Sequence, residues 1–95
     1  MIYDIILTKP AYKDLLRSVS ENLESPNTAH SLMSDINKAL LSLSEFPERY
    51  PIVDIEPWKS KNMRKMPVKS YIVLYYVKKD MHKVEIARIF YGKKI

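Results

Sequence analysis

Apolar residues recur in two different periods along this chain. Residues 2–7 are almost continuously apolar, interrupted by one acid, Asp4, and predict a strand with most of both faces buried. Thr8 follows as a helix N-cap, with Pro10 and Ala11 suited to the first turn. Tyr12, Leu15, Leu16, Val19 and Leu23 then recur at helical spacing. Ser25-Pro26 ends that helix and opens a second, with Ser25 as N-cap and Pro26 as the first helical residue. Ala29, Leu32, Met33, Ile36, Leu40 and Leu43 carry the second stripe to near Glu45. So short a link predicts an antiparallel helical hairpin over residues 9–45, and its stripes require a further layer to cover them.

Pro47, Pro51 and Pro57 punctuate residues 46–61 and predict extended loop. Three strands follow. Residues 63–68 contain Pro67, which suits an edge or a strand end. Residues 71–77 are β-branched and aromatic on both faces and read as a central strand. Residues 84–91 form the last strand, after a polar turn from Lys78 to Lys83. Lys69-Ser70 makes a tight connection without glycine. The order is strand, two helices, three strands. It predicts an α+β fold, with the helical hairpin on one face of a curved, mainly antiparallel sheet whose last three strands form a meander. Leu16, Val19, Ile36, Leu40, Leu43, Val73 and Ile86 are its expected core, in a single domain spanning residues 1–95.

Composition narrows the classes. At 46% hydrophobic and 28% charged, the 95 residues sit near the globular average, which excludes disorder and low complexity. The absence of cysteine excludes disulfides and thiolate metal sites and leaves cytoplasm as the expected compartment. The apolar runs are too short to span a membrane, and the first residues lack the basic segment and cleavage site of a signal peptide. Charge changes the picture more. Residues 1–56 hold 5 Lys/Arg against 9 Asp/Glu, whereas residues 57–95 hold 11 against 2. Such asymmetry predicts a basic face directed at a polyanion or an acidic partner.

The familiar enzyme signatures are missing. His30 and His82 have no second ligand at metal spacing, so neither metal nor cofactor is expected. Gly92 is the sole glycine, too few for a phosphate-cradling loop or a nucleophile elbow. What remains is basic residues and tyrosines on the sheet. Arg88 lies in an apolar strand, where charge is costly unless paired or functional; it either pairs with an acid such as Asp4 or Glu85 or faces a working concavity. Hairpin pairing can bring Arg64, Arg88, Tyr91, Lys93 and Lys94 together on the concave face away from the helices, where phosphate contacts and stacking are plausible.

The opening from Tyr3 to Leu15, the Phe46-Pro47-Glu48-Arg49-Tyr50-Pro51 segment, Glu56-Pro57-Trp58, Met63 to Val68, Tyr71 to Val77 and Ile86 to Lys94 together resemble toxins of the RelE/ParE superfamily of type II toxin–antitoxin modules. The resemblance covers almost the whole chain and agrees with the element order above. It implies a growth-arresting, plasmid-stabilising toxin that forms a hetero-oligomer with a cognate antitoxin and has no membrane partner. RelE-like members cut mRNA in the ribosome, and ParE-like members poison DNA gyrase. The first reading implies an mRNA interferase, an endoribonuclease activating the 2′-hydroxyl without a metal. Arg64, Arg88, Tyr91 and Lys93 would then be catalytic, with Lys59, Lys61, Lys65 and Lys94 binding RNA or phosphate. The alternative is non-enzymatic inhibition of gyrase. Two features separate the chain from the ribonuclease pattern: Tyr91 stands where many relatives carry His, and the Arg64 to Val68 stretch is more similar to ParE.

Overall fold

The computed structural model of the chain describes residues 2–21 and 26–92. Its elements follow the predicted order: β1 (Asp4–Leu7), α1 (Lys9–Glu21), α2 (Pro26–Ser42), β2 (Arg64–Val68), β3 (Tyr71–Lys78) and β4 (Lys83–Tyr91). The sheet order is β1-β4-β3-β2. The β2–β3 and β3–β4 pairs are antiparallel, and β1 lies parallel to β4, with Asp4 opposite Lys83 and Leu7 opposite Ile86. The first strand therefore closes the sheet against the last, and the fold is α+β with a mixed sheet. As expected, the apolar β3 is central and Pro67 sits on an edge strand. That edge is blunted. The Lys65 amide is taken by the Pro51 carbonyl at 3.1 Å, and Pro67 has no amide to offer.

The sheet is covered on both faces. On one side Ala11 and Leu15 of α1 and Leu32, Ile36 and Leu40 of α2 pack on Val73, Tyr75, Val84, Ile86 and Ile89. On the other, the segment after α2 lays Val53, Met63 and Trp58 over Leu74, Ile72 and Phe90. This segment is not wholly extended, as proline content suggested. Pro47–Arg49 forms one turn of 3-10 helix, which orders the chain directly after Phe46. Its buried counterpart is Tyr75, whose hydroxyl donates to the Pro47 carbonyl at 2.6 Å. Burial pushes that hydroxyl up to about 12, so it stays a donor.

The stripe of α1 differs from expectation. Tyr12 and Leu16 are exposed, Leu16 to 49%, and Val19 is half-buried. The inward face is Ala11, Asp14, Leu15 and Ser18. Two of these are polar: Ser18 donates to the Asp14 carbonyl one turn back at 2.9 Å, and the reason for Asp14 lies at the sheet edge described below. Leu23 and the Ser25 cap lie outside the described residues. The other expected core residues, Ile36, Leu40, Leu43, Val73 and Ile86, are buried. The hairpin between β2 and β3 turns at Lys69, which takes a φ of 56°. Gly92 then packs against that turn. Its amide donates to Ser70 O at 2.6 Å, and a Cβ at this position would fall 2.2 Å from the same oxygen, so no larger residue fits without moving backbone.

Leu40 fills the space between α2 and the sheet, and its truncation leaves a cavity with few ways to collapse. Leu40→Ala is expected to lower stability by about 2–5 kcal/mol, read as a lower urea midpoint with an unchanged slope.

Candidate functional site

The candidate residues are best followed outward from the edge of β4. Strand β1 stops at Leu7, yet β4 continues to Tyr91, so its later backbone groups need new partners. Thr8 supplies the first of them. Its hydroxyl lies 2.8 Å from the Ile86 carbonyl and 3.2 Å from that of Ala87, and also 3.3 Å from the Ala11 amide it caps. Six residues on, Asp14 supplies the next. Its Oδ2 accepts from the Ile89 amide at 2.9 Å and from Arg88 Nε at 2.7 Å, and its Oδ1 from Arg88 Nη2 at 3.0 Å. Asp14 is only 2% exposed, while half of the Arg88 side chain meets solvent. Arg17 adds a looser contact to Oδ1 at 3.6 Å.

A bulge between Leu74 and Tyr75 steps the register, so that Leu74 faces Arg88 and Tyr75 faces Ile86. The extra residue turns the Arg88 side chain out at the edge, within reach of α1. Arg88 is thus bound to Asp14 and not to Asp4 or Glu85. Glu85 is occupied elsewhere: it accepts from the Tyr76 hydroxyl at 2.6 Å and binds Lys78, and these two hydrogen bonds hold its carboxyl below the ordinary range.

Arg64 is held just as closely, on the other side. It faces Tyr75 across the β2–β3 pair and so points to the helical side of the sheet. Its Nη1 donates to the Tyr50 carbonyl at 2.6 Å and the Glu48 carbonyl at 3.1 Å, and its Nη2 lies 3.5 Å from the Glu48 carboxylate. Tyr91 is four positions further along, opposite Tyr71, about 13 Å from Arg64 along the strands. It is exposed, meets the Tyr71 ring edge-on at 5.6 Å, and borders an open groove of about 460 Å³ with Leu32, Ser31 and Lys69. Lys59 pairs with Asp54 at 3.2 Å; Lys61 is exposed; Lys65 is half-buried opposite Leu74. Lys93 and Lys94 lie outside the described residues. Arg64, Arg88 and Tyr91 therefore occupy three separate places, and the expected convergence on the face away from the helices is not present among the described residues. Among those residues, too, no group of His, Cys, Asp and Glu could hold a metal ion, and no helix is long and apolar enough to cross a membrane.

A family model described as the ParE toxin of type II toxin–antitoxin system, parDE, matches residues 5–95. The chain belongs to the ParE toxin family. The fold of this ParE-family toxin is that of the wider RelE/ParE group. It is similar to a chain of the chromosomal ParDE TA system from P. aeruginosa, with a TM-score of 0.76 at 16% identity, covering 97% of this chain and 98% of the other. It is also similar to a chain of the toxin–antitoxin complex RelBE2 from Mycobacterium tuberculosis, at 0.70 and 20% identity over 96% and 92%. A mutant of E. coli toxin RelE in the free state aligns at 0.67 and 18% identity over 96% and 84%. No curated protein sequence matches significantly. The ParE-family assignment makes the chain the toxin of a type II toxin–antitoxin system, and the structural likenesses establish its fold.

Sequence reasoning missed Asp14. A signal was present: Ala11, Asp14, Leu15 and Ser18 share one helical face by the same spacing that defines an apolar stripe. In the folded toxin, burial raises the Asp14 pKa most, but the Arg88 hydrogen bonds, the Ile89 amide and the charges of Arg88 and Arg17 outweigh it and hold the carboxyl below its usual 3.8. A lowered folded pKa gives stability that is present above about pH 4 and lost as pH falls through the folded value. Wild type should lose this increment as pH falls below about 4, and Asp14→Asn should not, in urea titrations at each pH. At pH 7, Asp14→Ala and Arg88→Ala should both destabilise, by about 1.5–3 kcal/mol for the buried carboxylate.

Proposed function

We propose that this ParE-family toxin arrests growth by binding and inhibiting DNA gyrase, without cleaving RNA itself. Sequence reading placed mRNA cleavage first. The observation that reverses the order is the commitment of both guanidinium groups. Arg88 is bound to Asp14 at the sheet edge, and Arg64 to Glu48 and Tyr50 on the helical face. A phosphate clamp requires donors that are free and aimed at one point. The face on which such a clamp was expected carries an apolar cluster around Leu74, roofed by Val53, Met63 and Trp58. The family model that matches the chain is the ParE one, which supports the same choice. On this reading the toxin acts in the cytoplasm through a protein interface, and Arg64 and Arg88 serve the fold.

A cognate antitoxin completes the proposal. The outer edge of β2 is closed, whereas no described residue pairs with the outer edge of β1 beyond the Tyr3 amide, which donates to Ser44 O at 2.9 Å. Parallel pairing with β4 turns the Ile5 and Leu7 amides outward, and an antitoxin segment can add there as a strand. Lys59, Lys61, Lys65, Lys93 and Lys94 belong to the basic half of the chain, to which an acidic, disordered partner is attracted.

Inducing the toxin and following labelled thymidine and methionine separately tests the target. Thymidine incorporation should fall first, and purified toxin should inhibit gyrase supercoiling; early loss of methionine incorporation alone would restore the ribosomal reading. The antitoxin complex should weaken as salt rises, since counter-charges meet at its surface. Salt-independent affinity would remove the electrostatic part of the proposal.

A further inference from the structure

Phe46 follows α2 with φ 53° and ψ 55°, in the left-handed region. Three other described non-glycine residues have positive φ, namely Asn62, Lys69 and His82, and all are polar. A bulky aromatic residue is out of place there, because its Cβ crowds the neighbouring carbonyl. The surroundings hold it in place. Arg49 Nη1 donates to the carbonyls of Ser42, Glu45 and Phe46 at 3.1, 2.8 and 3.2 Å, and its Nη2 donates to Ser42 Oγ at 2.7 Å. Pro47, next in the chain, is buried and tied through its carbonyl to the Tyr75 hydroxyl. On this rigid mount the Phe46 ring is 80% exposed, more than any other large hydrophobic residue among those described.

Two unfavourable features thus coincide at one residue: a strained backbone and an apolar ring in water. Neither the core nor the turn needs them. Glycine would make this turn with less strain, and the ring fills no internal space. Strain held in place by surrounding structure points to a functional role. The ring stands beside a concavity of about 610 Å³ bordered by Tyr3, Glu45, Glu48 and Arg49.

What receives the ring follows from rigidity. A segment that folds on binding brings its own side chains and needs grooves to accept them. A fixed, protruding aromatic ring instead needs a preformed pocket on a folded protein. Glu45 beside it is exposed, but Glu48 is held by Arg64 and Lys79 and Arg49 borders the same concavity, so charge on this shoulder favours neither kind of partner and rigidity decides. We propose that Phe46 is the anchor this toxin inserts into a preformed apolar pocket of its folded target protein. The inference rests on the preceding reading only in taking the target to be a protein.

Phe46→Gly removes the ring and relieves the backbone, and Phe46→Tyr keeps the ring. The glycine variant should melt at the same or a higher temperature, bind antitoxin as wild type does, and fail to arrest growth. Its inhibition of gyrase supercoiling should weaken at least about ten-fold. The tyrosine variant should remain toxic. A glycine variant that still arrests growth overturns the proposal, as does one that arrests growth but escapes its antitoxin, or one that loses arrest together with its fold. If wild-type toxin leaves gyrase untouched while the folded glycine variant still loses arrest, the gyrase reading fails and the anchor stands, with its pocket on another protein.

Discussion

A carboxylate withdrawn from water, with three hydrogen bonds to replace its hydration, fixes how the first helix meets the sheet. Asp14 satisfies the Ile89 amide and both reachable nitrogens of Arg88. Together with Thr8 it lets α1 take over the edge of β4 where β1 ends, so backbone groups that would otherwise face a helix unpaired are accounted for. Desolvating a charge is expensive, and this arrangement offsets the cost by leaving the cation half-exposed while the anion is buried. The same contact specifies geometry. An apolar helix face could slide or rotate on a sheet, but a bidentate pair plus an amide admits one position.

Much of the fold was legible because it rests on apolar periodicity. The strand, two helices and meander, the central placement of residues 71–77 and the edge placement of Pro67 all follow from which side chains must leave water. The α1 stripe was misread for a physical reason. Hydrophobic periodicity registers apolar burial alone, and this helix buries Asp14 to meet a strand edge, with Ser18 beside it, while leaving Tyr12 and Leu16 in solvent. Arg88 carried a correct alarm, a charge in an apolar strand, but its partner lies 74 residues away, and no local pattern identifies such a pair. Phe46 was visible only as part of a motif. Its left-handed backbone is set by Arg49, Pro47 and Tyr75 together, which is tertiary information.

Basic residues concentrated in one half of a chain invite a reading as one working surface. Here the fold distributes them. Arg64 braces the segment after α2, Arg88 secures α1, Lys78 joins Tyr76 on Glu85, and Lys69 reaches Asp35 on α2. Composition counts charges without saying which are spoken for, and a shared architecture can carry either an enzyme or an inhibitor. The side chains left unengaged at the surface, more than the charge total, carry the functional reading.

Pairing the first strand with the last has a temporal meaning. Asp4 cannot meet Lys83 until the roughly 80 residues between them have been made, which takes on the order of 4–16 s at about 5–20 residues per second. During that interval the helices have no complete sheet to cover, since Val84, Ile86 and Ile89 have yet to leave the ribosome. The nascent chain is therefore an incomplete layer with its stripes uncovered, and it acquires the α1–β4 contact only at the end.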